Sequence, residues 1–217
     1  MRLTSRGLFW LKGFLHLCFM SPIIYLIVQV LTDNAGGDPV QYIIHFTGMG
    51  AINSLIVTLL ISPIAKKFKQ GLLLQTRRLV GLYVFAYACL HIAAFISLDL
   101  LFAWGFLFEE IIKRPYILVG FTGFVIASLL TITSFQAVKR NMGKRWQSLH
   151  NWVYVLAVLA PIHFYWSVKS EIIEPSIYIG IIMFLLWIRR RQIKMWLIKK
   201  ETPTEVSKVS AKADSQS

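Results

Sequence analysis

Long apolar runs broken by short polar stretches organise this chain. Six can be traced, over residues 8–31, 42–65, 79–100, 116–138, 149–168 and 177–196. Each is long enough to cross ~30 Å of hydrocarbon at ~1.5 Å per helical residue. A helix satisfies its own backbone hydrogen bonds, which lipid cannot do. The pattern therefore predicts an all-α, polytopic bundle of six transmembrane helices. The first run is too long for a signal segment and lacks a small-residue cleavage site, so it is expected to stay in the mature protein. Residues 99–114 are apolar but too short to cross and return. With Trp104 suited to the membrane interface, they predict a short interfacial or re-entrant helix. Residues 1–198 read as one membrane domain. Residues 199–217, polar and rich in Ser and Lys, read as a disordered tail. No internal repeat is evident along the sequence.

Composition agrees with the pattern. Of 217 residues, 56% are hydrophobic and only 15% are charged, which excludes an ordinary soluble enzyme and a disordered chain. The net charge of +13 would by itself suggest a nucleic-acid partner. Its placement points elsewhere. Arg2, Arg6 and Lys12 precede or open the first run. Lys66, Lys67, Lys69, Arg77 and Arg78 fill the second connection, Lys139, Arg140, Lys144 and Arg145 the fourth, and the remaining basic cluster follows residue 188. Lys113, Arg114 and Lys169 stand on the other side, together with most of the acids. Positive residues accumulate on the cytoplasmic side, so both termini are expected there, and the basic connections would touch anionic lipid rather than nucleic acid. Cys18 and Cys89 sit inside apolar runs and read as small buried hydrophobes.

Candidate chemistry comes from histidines. His16, His45, His91, His150 and His163 all lie within or at the ends of the apolar runs, where a polar ring is costly and usually functional. Depth sorts them. His91 and His163 fall in the outer half on two different helices, His45 starts the second helix at its outer end, and His16 and His150 lie near the inner face. Two imidazoles at one depth on separate helices are what bis-histidine ligation of a haem iron requires. His150 and His163 would lie ~20 Å apart along one helix with rings ~140° out of phase, unless Pro161 kinks it. A zinc permease using His45, His91 and His163 is an alternative, but zinc wants three or four convergent ligands. A cofactor-free anchor subunit is a third reading.

At these residues a family resemblance becomes visible. His45-Phe46-Thr47-Gly48, Thr76-Arg77-Arg78-Leu79 with Gly81-Leu82, and Arg114-Pro115-Tyr116 carry it. So do Gly143-Lys144-Arg145-Trp146-Gln147 with Leu149-His150, and Ala160-Pro161-Ile162-His163 with Trp166-Ser167-Val168-Lys169. The chain resembles the MsrQ (YedZ) family within the ferric-reductase-like transmembrane group. These are the haem-binding membrane subunits of periplasmic methionine-sulfoxide reductase systems of Gram-negative bacteria. The resemblance implies a multi-pass inner-membrane b-type cytochrome carrying haem b and FMN. It would draw electrons from the quinone pool or a cytosolic flavin donor. It would pass them to MsrP, a periplasmic molybdopterin enzyme that repairs oxidised methionines. His91, His150 and His163 are the implied haem ligands, with His16 as the best inner partner for His150. Arg77, Arg78, Lys144 and Arg145 would flank the FMN phosphate, haem propionates or a donor's acidic surface, and Arg114 an outer propionate. NADPH oxidases in the wider group place a second histidine on the third helix, where this chain has Arg77 and Arg78. With no G-x-G-x-x-G and no nicotinamide module, the chain is expected to act as an electron-transfer subunit that depends on a separate donor.

Overall fold

The computed structural model describes residues 3–168 and 171–198, and every regular element among them is helical. α1 spans Ser5–Leu31, α2 Pro39–Lys67, α3 Thr76–Ala94, α4 Trp104–Lys113 and α5 Pro115–Ile132. α6 spans Gln136–Met142, α7 Lys144–His150, α8 Val153–Ser167 and α9 Ile173–Ile188. A 3-10 turn over Gly71–Gln75 leads into α3, and a π-helical turn over Phe95–Asp99 extends it. The expected tail, residues 199–217, lies outside the described residues, as do Arg2 and Lys169.

Among the described residues four helical stretches are long and apolar enough to cross a membrane: Ser5–Leu31, Pro39–Lys67, Gly71–Asp99 and Pro115–Ile132. The last two runs of the sequence give shorter helices. α8 has 15 residues and α9 has 16, about 22–24 Å at 1.5 Å per residue. The fourth run, expected over 116–138, stops at Ile132. There the Thr133 hydroxyl bonds back to the carbonyl of Leu129 at 2.6 Å and Phe135 turns extended. The fifth, expected to begin at 149, begins as α8 at Val153. The backbone N–H groups of Trp152 and Tyr154 donate in a tighter i→i−3 pattern to the carbonyls of Leu149 and Asn151. His150 and His163 thus sit on two helical segments. The break in phase lies at Asn151–Trp152, whereas Pro161 is accommodated inside α8. The expected short helix after residue 99 is present as α4. It is set off by left-handed Leu101 and Phe102 and carries an exposed Trp104.

Two antiparallel hairpins make the body. α2 packs along α3, α5 packs along α8, and α9 closes against α8 and α2. Their shared core includes Leu55, Leu59, Val84, Ile126, Ala157, Ile182 and Leu185. Polar side chains inside it return to their own helix: Thr47 bonds Ile43, Ser54 bonds Gly50 and Thr58 bonds Ser54. That leaves their small bulk for close helix approach without an unsatisfied hydroxyl in hydrocarbon. Outward surfaces stay apolar, with Phe9, Leu17, Phe121, Met183 and Phe184 exposed, as lipid-facing surfaces should be. α1 is the extreme case, burying only Leu8 and Leu26. Cys18 is exposed on that helix and Cys89 is half-buried on α3. The expectation of burial within the protein therefore fails for Cys18, because α1 has so few protein neighbours.

The tightest contact in the α2/α3 hairpin is Tyr87 against Gly50. A Cβ on Gly50 would overlap the Tyr87 ring, which is 2% exposed and donates its hydroxyl to the Phe19 carbonyl at 2.7 Å. Overpacking at such a point costs about 1–3 kcal/mol. Gly50→Ala should lower the thermal midpoint in detergent, whereas Gly180→Ala, which meets nothing within 4 Å, should not. Equal midpoints would contradict this packing.

Candidate functional site

The two hairpins carry the same device at the same level. On α3, His91 directs Nδ1 to the carbonyl of Ile44, 2.9 Å away on α2. On α8, His163 directs Nδ1 to the carbonyl of Tyr116, 2.7 Å away on α5. A carbonyl can only accept, so each Nδ1 donates and each Nε2 is left with a free lone pair. Four residues after each carbonyl comes a glycine. The ring of His91 lies 3.1 Å from where a Gly48 Cβ would stand, and that of His163 lies 2.6 Å from the same point on Gly120. A side chain at Gly120 would force the His163 ring to shift, and one at Gly48 would press the His91 ring by a few tenths of an ångström. The separation between carbonyl and imidazole is 47 residues in both hairpins. The molecule therefore does contain a repeat, of geometry rather than of sequence.

The brackets bring the two rings together. Their centroids are 6.0 Å apart and their planes are at 85°. A metal–imidazole bond is about 2 Å. Two such bonds with the ring radii added put two axial imidazole centroids about 6 Å apart across one metal. The spacing of the pair would let both rings hold one haem iron through Nε2, which would supply one-electron chemistry there. Among the described residues no three His, Cys, Asp or Glu side chains converge as a metal-holding group, so the tetrahedral zinc arrangement has no counterpart there. His45, the third ligand that reading needed, instead faces Glu174 at 3.6 Å and packs beside Phe164.

The other predicted residues fall in two places. Arg114 is at the start of α5, two residues before the Tyr116 carbonyl, where it pairs with Glu110 at 2.6 Å. The neighbouring Tyr116 hydroxyl, and then the nearby acids, raise its pKa, so it stays charged. Its side chain is already neutralised by Glu110. Arg77, Arg78, Lys144, Arg145 and His150 all line a cavity of about 1410 Å³ at the opposite, basic end of the bundle. There Thr133 acts as a hub. Its hydroxyl proton goes to Leu129, so the 3.1 Å contact with His150 Nε2 has the imidazole as donor, and its carbonyl accepts from Trp146 Nε1 at 2.8 Å. Trp146 also stacks on His150 at 3.9 Å. His150 is thus held differently from the other two, with Nε2 engaged and one face covered. His16 bonds the Tyr83 hydroxyl at 2.7 Å, so the structure does not bring it to His150. Sequence reading missed Thr133 and Arg189 here, and it quoted Trp146 only for the family resemblance. It also missed Gly48 and Gly120 as a pair, although their identical spacing to the histidines was the available signal.

The sequence model of the ferric reductase like transmembrane component family matches residues 39–161. That is more than half of the chain. The protein belongs to this ferric-reductase-like family. The match runs from the start of α2 to Pro161 in α8, so it takes in Ile44, Gly48, His91, Tyr116 and Gly120 and ends two residues before His163. Membership marks the chain as a membrane electron-transfer component. The paired imidazoles are the feature of this ferric-reductase-like chain best suited to that work, since ring orientation and tautomer are both set before any ligand arrives. In the metal-free protein, long-range proton–nitrogen correlation spectra should show the Nδ1–H tautomer for His91 and His163. An Nε2–H tautomer at either would contradict the bracket geometry.

Proposed function

We propose that this protein is an integral membrane b-type cytochrome with six crossings and both termini on the cytoplasmic face of a bacterial inner membrane. It carries electrons outward to a periplasmic partner. The observation that carries the reading is the pair His91 and His163, with rings 6.0 Å apart and both Nδ1 atoms held by carbonyls. Haem b, held by these two residues, would supply one-electron chemistry at an iron whose potential follows its axial ligands and burial. The protein's part is to fix the two rings, to exclude water with the α2/α3 and α5/α8 interfaces, and to hold the acidic end toward the partner. The resemblance to MsrQ supports the molybdopterin reductase MsrP as that partner and repair of oxidised periplasmic methionines as the outcome.

On the opposite side, the basic cavity suits the entry of electrons. Its Arg and Lys side chains, with Trp146 and Tyr154, fit a flavin such as FMN, with the quinone pool or a cytosolic flavin reductase as the source. His150 lines this cavity, and a haem-ligating role for it would need its bond to Thr133 to open. A histidine-based permease has less support, because the convergent ligands it needs do not occur among the described residues.

A dithionite-reduced spectrum of the purified protein should be that of haem b. His91→Ala or His163→Ala should each remove most of the haem, and full retention in either would refute the pair. The pure protein should not oxidise NADPH. Rapid haem reduction by NADPH without added flavoenzyme would contradict the need for a separate donor.

A further inference from the structure

The basic cavity contains a charge that no described residue balances. Arg189, at the C-terminus of α9, is only 3% exposed. One terminal nitrogen donates to the Leu59 carbonyl on α2 and the other lies 3.5 Å from the Tyr154 hydroxyl on α8. Its Nε is buried with no hydrogen-bond partner among the described residues. The ion pairs found among those residues join His45 to Glu174, Lys113 to Glu109 and Arg114 to Glu110, all away from this end. Arg189 lines the cavity with Arg77 and several further Lys and Arg side chains, and among the described residues no Asp or Glu lines it. Burying a guanidinium without a counter-charge is unfavourable, and like charges along the cavity wall add to that cost. Such an arrangement persists where the charge is balanced by something that binds.

Resting on the flavin reading of this cavity, we propose that Arg189 anchors the anionic group of the cavity's ligand, a phosphate carried by an aromatic electron carrier. A neutral quinone leaves the guanidinium as it is. A phosphomonoester accepts charge-assisted hydrogen bonds from it. Three helices position the fork: α9 supplies it, α2 holds one nitrogen through Leu59, and the Tyr154 ring of α8 lies 6.0 Å beneath it. Arg77, which also lines the cavity, adds to the positive field at the start of α3.

The test titrates the full-length protein with FMN and with riboflavin, which lacks the phosphate, following flavin fluorescence. Wild type should bind FMN at least about tenfold more tightly than riboflavin. Arg189→Met should bring the two to parity and Arg189→Lys should restore part of the preference. Thermal midpoints in phosphatidylglycerol and phosphatidylcholine nanodiscs identify the other source of phosphate. If the anionic lipid stabilises wild type but not Arg189→Met, while both flavins bind alike, the anchor stands and its anion is a headgroup. If Arg189→Met keeps the wild-type preference, or if wild type shows neither response, the proposal is overturned. If circular dichroism shows Arg189→Met to be misfolded, Arg189→Lys is read alone, and unchanged FMN affinity in it overturns the assignment. Haem content is scored separately. Its absence from wild type would sink the cytochrome reading and leave the flavin titration interpretable.

Discussion

A histidine inside a membrane has two nitrogens to satisfy and no water with which to do it. In this protein each of the two deep imidazoles gives one proton to a helix carbonyl that already accepts its own i→i+4 bond, using the second lone pair of that oxygen. The ring approaches the carbonyl over the residue one turn later, where a Cβ would clash at Gly120 and be tight at Gly48. For the carbonyl to face the ring, the two helices of each hairpin must lie close, hence the small hydroxyl residues that bond back to their own helix along α2. The depth, tautomer and orientation of His91 and His163 follow from that one hydrogen bond made twice.

The rest of the molecule divides by charge around this centre. One end has Glu109 and Glu110 of α4, paired to Lys113 and Arg114, and Glu174, 3.6 Å from His45. The other has a broad cavity walled by Lys and Arg, in which Arg189 lies buried. The paired imidazoles lie between these two ends of the bundle. α1 contributes least. Its exposed Phe9, Trp10 and Leu17 have lipid rather than protein to cover them.

Much of this was legible in the sequence because the strongest signals are the simplest ones. Apolar runs longer than a bilayer is thick predict helices, and the placement of Lys and Arg sorts their ends. The pairing of His91 with His163 came from depth alone, before any helix contact was known. Helix ends were harder to read. The stop at Ile132 involves neither Pro nor Gly, only the back-bonding Thr133 hydroxyl and an extended Phe135, and nothing in an apolar run announces it. A change of phase between His150 and His163 has Pro161 as its candidate in the sequence, through a kink. It arises at Asn151–Trp152, where a bond shortens from i−4 to i−3. The geometric repeat was invisible because almost none of the surrounding side chains recur, only a glycine and a histidine at matched spacing. Arg189 was hidden among its neighbours, since Arg190 and Arg191 are exposed and it is not. Burial of one arginine in a basic cluster is a property of the packing of α9 on α2.

The paired imidazoles are the centre of the account, and the coordination state of the iron tests them most directly. Electron paramagnetic resonance of the oxidised, purified protein should give a low-spin ferric signal from an iron with two histidine ligands, and Gly120→Ala, which pushes the His163 ring off its carbonyl, should convert it toward high spin. A high-spin signal in the wild-type protein, or a low-spin signal untouched by that substitution, would contradict the claim that these two brackets hold the haem.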